Sequence, residues 1–550
     1  MVQLRVSLLL LLALLTAPAC WAGSAAVALP DRHAAEAAQL MLESGGNAMD
    51  AAIAAAFVLA VTYPEAGNIG GGGFMLSYMG QEAAFLDFRE SAPKTAHRDM
   101  YLDEGGNFIQ HKSLIGGQAS GVPGTVSGLH SAHLRYASKP WKTLLQPAIG
   151  LARDGFAVPA ALARHAKERS AEIGNKTNFA NYFGGLRTGE IFRQLQLAAT
   201  LERIAHDPDD FYHGKIARQI TAQMVKTNGL ITLADMAAYK AVWRNPIQAQ
   251  WRGYTILSAP PPSSGGVALI QLLQMRDFAD VHFKDLWHNS PRYIHLLAEI
   301  EKRVFADRAQ YLADPDFVEV PIAELLDMNY LAARATQINP TQISPAIAVP
   351  PGLESTDTTH LSILDSKGNA VSLTYTLNWD FGSGVVVEGA GFLLNNEMDD
   401  FSAKVGVPNK FGVIGNARNA IAPGKRMLSS MTPTIFLHKN KPALVIGTPG
   451  GSTIFTSVMQ VILNLYDFSM PLQAAVDATR FHHQLPDATL IRHDRREITS
   501  TTRTKLQAMG YIVEPNSWGN LGDIQVIRIE GEKVQAAADS RNRGVARLIP

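Results

Sequence analysis

The chain has 550 residues, 47% apolar and 18% charged, with 49 Lys+Arg balanced by 49 Asp+Glu, a pI near 7.3 and a single cysteine. Zero net charge excludes a nucleic-acid binder, which needs a basic excess to neutralise phosphates, and the apolar fraction excludes disorder of the bulk chain. One cysteine excludes an intramolecular disulfide, and the length fits two or three domains or one large α/β assembly.

At the N-terminus, Arg5 precedes an apolar run at 8–15 that ends in small residues. This pattern predicts a secretory signal peptide over residues 1–22, cut after Ala19 or Ala22. A cut after Ala22 removes Cys20 and with it any thiol nucleophile. No later stretch approaches ~18 uninterrupted apolar residues, so the expectation is a protein without a membrane anchor, periplasmic or secreted.

Residues 33–59 read as two Ala-rich, tightly packed helices interrupted at Gly45 and Gly46. The segment 67–73 ends in four glycines and leads into a strand at 74–78, with a hairpin partner at 84–88. Helical periodicity prevails over 139–317. Residues 338–354 are Pro-rich and irregular, as an exposed linker is. Strand-like alternation follows over 360–377, then strands at 434–437, 443–446 and 523–529 with a helix at 455–466. Strands and helices in both halves predict an α/β or α+β layered fold without repeats.

Three motifs fall short of the chemistry they suggest. The four glycines lack the Lys-[Ser/Thr] of a phosphate loop and read as a tight turn where backbone packs on backbone. Ser91 and Lys94 fit S-x-x-K and Lys226-Thr-Asn-Gly imitates K-T-G, but no S-x-N or Y-x-N lies between them. His482 and His483 are adjacent, so their side chains rarely face one ion; with neither H-E-x-x-H nor C-x-x-C present they read as structural, and no metal or organic cofactor is expected.

The strongest local signal is 357–378. A three-residue turn, Ser366-Lys367-Gly368 with Gly368 left-handed, sets Asp365 opposite Asn369. Ile363 then faces Val371, Leu361 faces Leu373 and Ser362 faces Ser372, so apolar meets apolar and polar meets polar. The same register puts Thr358 opposite Thr376, with Asn378 two residues beyond on that face. A Thr hydroxyl is a weak nucleophile unless a base takes its proton, and a free N-terminal amine, pKa ~7.7–8.0, is a base suited to neutral pH. That chemistry requires a cut before Thr358. A β-branched strand with no further role has the same pattern.

With the motifs at 358–362, 374–378, 393–401, 428–435 and 447–452, and earlier those at 45–52, 74–75, 87–90 and 121–124 and the late 538–541, the chain resembles the γ-glutamyltranspeptidases from about His33 almost to its end, in the family's order and spacing. The resemblance implies a four-layer αββα sandwich of the N-terminal-nucleophile hydrolase type and self-cleavage between Asp357 and Thr358. It yields a large subunit (23–357) and a small one (358–550) that together form one αββα unit. It makes Thr358 the nucleophile and Thr376 the group that orients its hydroxyl, with the amides of Gly450 and Gly451 as oxyanion hole. Arg89 matches the arginine that forks onto the substrate α-carboxylate, and Ser429 and Ser430 add hydroxyl donors. Asn378, Glu397 and Asp400 match the groups that receive the α-ammonium.

Glu397 stands where some relatives carry Gln, Trp379 is bulkier than expected there, and segment 408–415 resembles a lid loop with Phe411 where tyrosine is common. The implied substrates are glutathione and other γ-glutamyl compounds, with water or amino-acid and dipeptide acceptors. A glutaryl (cephalosporin) acylase-like amidohydrolase and a non-catalytic exported binding protein are the rival readings.

Overall fold

The computed structural model describes residues 23–345, 357–404, 417–517 and 519–550. The expected signal peptide, most of the Pro-rich linker and the lid-like segment around Phe411 lie outside the described residues.

The alternation of the central hairpin sets the layers. Asp357–Leu364 and Ala370–Asn378 pair antiparallel in a seven-stranded sheet, in the order Val545–Ile549, Ala25–Leu29, Asp357–Leu364, Ala370–Asn378, Gly72–Met79, Glu82–Asp87, Val242–Arg244. Leu361, Ile363, Val371, Leu373 and Tyr375 face one side, where they join a core with the helices Arg32–Glu43 and Ala48–Thr62. Every residue of Ala48–Thr62 is buried, its small side chains allow close approach, and Asn47 caps it with a reciprocal bond to Asp50.

The other side, with Phe74, Leu76 and Phe85, packs on Leu257, Ile435, Val445 and Ile527. Those residues belong to a six-stranded sheet ordered Lys533–Ala538, Gln525–Glu530, Lys441–Gly447, Thr434–His438, Tyr254–Ser258, Ile247–Trp251. Their sequence neighbours Ile256, Phe436, Leu444, Ile446 and Val526 point outward onto the helices Gly265–Phe278, Pro291–Tyr311 and Ile454–Tyr466. Helix, sheet, sheet, helix: the expected αββα sandwich.

Ile363 faces Val371, Leu361 faces Leu373 and Thr358 faces Thr376, with Gly368 at φ 81° in the turn, all as the pattern predicts. Beyond Thr376 the ladder departs from expectation. A bulge sets Asn378, at φ 84°, opposite Asp357 and re-aims its side chain.

Other elements correct the sequence reading. The stretch read as helical contains the hairpin Ile247–Trp251 and Tyr254–Ser258, closed by Arg252 (φ 47°) and Gly253 (φ 82°), the twin positive φ of a two-residue turn. The edge strand Val545–Ile549 and its neighbour Ala25–Leu29 were not foreseen. The linker begins docked rather than exposed: Ile338 is buried and the Ser344 amide donates to Glu299 at 3.1 Å.

The four-glycine turn is a close backbone approach. A Cβ on Gly71 would lie 2.1 Å from the carbonyl oxygen of Thr376. Gly71→Ala is expected to lower stability by about 1–3 kcal/mol or more, the cost of overpacking; thermal denaturation checks this, and an unchanged Tm would refute the contact.

Candidate active site

Thr358 is the second residue of its strand and is only 6% exposed. Thr376 faces it and accepts a hydrogen bond from the Asn378 amide at 2.8 Å. Behind Thr376, Asn68 donates to its carbonyl (2.8 Å) while accepting from the Gly71 amide (2.9 Å) and the Thr125 hydroxyl (2.7 Å). The nucleophile candidate and its partner are thus held by the glycine turn. Across the gap, the strand Lys441–Gly447 runs out into Gly450 (φ 136°) and Gly451 (φ 56°), which open the helix Ile454–Tyr466. Thr358 and Gly450 line one cavity of about 490 Å³.

A second group of residues joins this strand end through Asn396. Its carbonyl accepts from Asn378 Nδ2 at 3.0 Å and its side-chain oxygen from the Trp379 amide at 3.1 Å. The following turn buries Glu397 and Asp400 against Arg89, which donates to Glu397 and, at 2.5 Å, to Asp400. Arg89 also donates at 3.3 Å to the carbonyls of Met427 and Leu428, the residues that lead into Ser429 and Ser430. The Ser430 hydroxyl lies 3.5 Å from Arg308, and the Ser429 carbonyl accepts from the Ser264 amide at 2.6 Å. Asp399, adjacent to Asp400 in sequence, turns away to accept from Ser113 at 2.5 Å.

Arg89 therefore sits fully buried among acids. Glu90, whose carboxylate lies 3.8 Å from its guanidinium, is also fully buried, and among the described residues no other residue donates a hydrogen bond to either oxygen. Burial pushes Glu90 from 4.5 up to about 8, against the pull of Arg89 and with repulsion from Asp400 and Asp87. Burial likewise raises Glu397 well above, and Asp400 above, the ordinary carboxylate range, again against Arg89. Burial thus makes these acids easier to protonate, and the cluster presents both a fork of donors and several acceptors in a dry pocket.

Several supporting groups lay inside quoted motifs without an assigned role. Asn395 bonds the carbonyls of Gly70 (2.9 Å) and Gly121 (2.8 Å), stitching three motifs together. Glu90 follows Arg89 directly, and Asp523, lining the cavity, is pushed up to about 8 by burial and by Asp539. Only long-range packing distinguishes these from surface polar residues. His482 and His483 are buried, with His482 bonded to Thr456 (3.0 Å) and Gln484 (2.8 Å), as structural histidines are.

An αββα sandwich with a threonine heading an inner strand, opposite a glycine pair at the end of the second sheet, is the arrangement of the N-terminal-nucleophile hydrolases. A γ-glutamyltranspeptidase family model matches residues 34–549, and the chain belongs to that family. It is similar to the glutathione hydrolase proenzyme of Pseudomonas aeruginosa, 56% identical over 95% of this chain and 94% of that protein. Among solved structures it is similar to the γ-glutamyltranspeptidase of Pseudomonas nitroreducens complexed with L-DON, 52% identical with a TM-score of 0.58 over 58% of this chain and 96% of that one. It is also similar to the cephalosporin acylase of Bacillus halodurans, 26% identical with a TM-score of 0.84 over 97% and 98%.

Glu90 binds a proton in the folded chain up to about pH 8, whereas an unfolded carboxyl loses it near 4.5. Between those values the folded state holds the extra proton, so Glu90 makes stability fall as pH rises through that window. Glu90→Gln is expected to flatten the decline of Tm across it; parallel wild-type and variant curves would refute the assignment.

Proposed function

We propose that the protein is a self-processing γ-glutamyltransferase and glutathione hydrolase. It moves the γ-glutamyl group of glutathione and related compounds to water or to amino-acid and dipeptide acceptors through an ester on Thr358. The observation that carries the reading is the pairing of Thr358 with Thr376, joined through Asn378 and Asn396 to the turn that buries Glu397 and Asp400 against Arg89. Similarity to proenzymes supports a cut before Thr358. So does a solved chain that aligns over 96% of its own length yet spans 58% of this one, as one piece of a divided precursor would.

In this mechanism the freed amine of Thr358 takes the proton from its own hydroxyl, and Thr376 orients that hydroxyl. The oxygen attacks the γ-carbonyl, and the developing oxyanion is met by the amides of Gly450 and Gly451. The substrate's α-carboxylate takes over Arg89 while its α-ammonium takes Glu397, Asp400 and Asn378, with hydroxyls from Ser429 and Ser430. This is an exchange of partners in which no buried charge is left bare; a bare one would cost about 3–5 kcal/mol. The leading segment 1–22 and the absence, among the described residues, of a helix long and apolar enough to cross a membrane fit an exported protein, periplasmic or secreted.

A glutaryl acylase would share this scaffold but needs no receiver for an α-ammonium. The paired acids around Arg89 favour the γ-glutamyl reading.

Purified protein is expected to run as two fragments, the smaller starting at Thr358, and Thr358→Ala as one inactive chain. N-terminal sequencing that finds another residue would overturn the nucleophile. Asp400→Asn removes one charge assigned to the ammonium. It is expected to lower kcat/KM for γ-glutamyl substrates by roughly 10- to 150-fold, the size of a hydrogen bond to a charged group. Glutaryl analogues should lose far less, and equal losses on both would place Asp400 in structural support.

A further inference from the structure

The cavity that Thr358 and Gly450 share is not lined by Arg89, Glu397 or Asp400. The groups assigned to the γ-glutamyl head are thus absent from its walls, and the 490 Å³ on this side of the threonine is left to whatever bonds to the γ-carbonyl from the solvent side. During one catalytic cycle that position is held first by the departing amine and then by the incoming one.

The walls are strongly polar, and most of their cations are already engaged. Arg541 donates to Asp494 at 2.7 and 3.0 Å and to Asp539 at 3.0 Å. Arg164 lies 3.0 Å from His165 and 3.9 Å from Glu168. Arg495 differs: it lines the cavity, is exposed, and makes no hydrogen bond or ion pair among the described residues. Its neighbour Arg496 is held by Asp477 and Ser540, so the two arginines of this turn are divided between structure and cavity.

Resting on the γ-glutamyl-transfer reading, in which the leaving peptide and the acceptor occupy this side of the threonine, we propose that Arg495 receives their free carboxylate. A guanidinium with no partner presents a planar fork that matches a carboxylate through two parallel hydrogen bonds. An extended dipeptide sets its carboxylate about 7 Å from its amine, and Thr358 and Arg495 line the same cavity of about 490 Å³. The chemistry balances without another reactant. The acceptor nitrogen forms its bond to the γ-carbonyl carbon, the bond to the Thr358 oxygen breaks, and the proton leaving nitrogen returns to that oxygen through the Thr358 amine.

The test compares glycylglycine with glycylglycinamide, which lacks the carboxylate, as acceptors from γ-glutamyl-p-nitroanilide. Wild type is expected to favour glycylglycine, and Arg495→Ala to raise its KM by about tenfold, the loss of one charge-assisted contact, so that the preference collapses. Arg495→Lys should keep part of it, which a merely structural arginine would not show. Equal preference in wild type, or an undiminished preference in Arg495→Ala, overturns the assignment of Arg495. Failure of the wild-type enzyme to release p-nitroaniline at all would instead overturn the γ-glutamyl reading beneath it.

Discussion

The register of one hairpin governs the site. In this hairpin Leu361, Ile363, Val371, Leu373, Tyr375 and Leu377, all at odd positions, seal the helix layer, so the even ones must face the second sheet. There they form a polar strip inside an apolar interface. His360 bridges Thr374 (2.8 Å) and Ser362 (3.1 Å), Ser362 donates to the Gln525 carbonyl (3.0 Å), and Ser372 to the Ile446 carbonyl (3.3 Å). Burial drives His360 down to about 3, so the strip stays uncharged. Thr358 and Thr376 are its last rung, where the second sheet ends and the glycine pair begins. A slip of one residue would turn both hydroxyls into the helix layer and bury Leu361 and Leu373 against polar partners. The same constraint that packs the core aims the chemistry.

Charge around Arg89 is organised by a second constraint, the scarcity of water. Arg89, Glu90, Glu397 and Asp400 are all buried, and a lone charge there would be prohibitive. Burial raises the affinity of these acids for protons against the pull of Arg89, which limits the net charge the pocket holds. A ligand with one ammonium and one carboxylate enters such a pocket without importing net charge. An amine or an acid alone does not have that advantage. In the proposed function, selectivity for an α-amino acid head follows from this limit on net charge as well as from the shape of the donors.

The parts of the fold carried by local pattern were legible in the sequence: the Ala-rich helix pair, the strands around the glycine turn and the whole ladder from Ile363 to Thr376. Each rests on a period of two or 3.6 and on turn residues that need a positive φ. The hairpin at 247–258 was missed although Ile247, Ala249 and Trp251 alternate around an Arg-Gly turn, because the helical residues on both sides dominated the reading. Asn378 was placed on the face of Thr376, but a bulge depends on what crosses the strand end, here Asn396, and no local pattern reports it. Resemblance gathered Arg89, Glu397 and Asp400. It chose Asp400 over its neighbour Asp399, and the structure supplies the physical difference: Arg89 meets Asp400 and Ser113 meets Asp399. Glu90, Asn68 and Asn395 gain their roles from contacts hundreds of residues away.

Ala25–Leu29 is clamped on one edge by Val545–Ile549 and on the other by Asp357–Leu364. Severing the backbone before Thr358 would therefore leave two pieces of which neither owns the whole of either large sheet. Pulling them apart would strip ladder hydrogen bonds and core from both at once, so the pair would stay mated on dilution like two interlaced combs. Before the cut, the connecting segment brings the strands together within one molecule; afterwards only the finished interlock does. A pair once unfolded would then have to find its partner from solution, and cleavage would turn a reversible folding problem into an assembly that closes once.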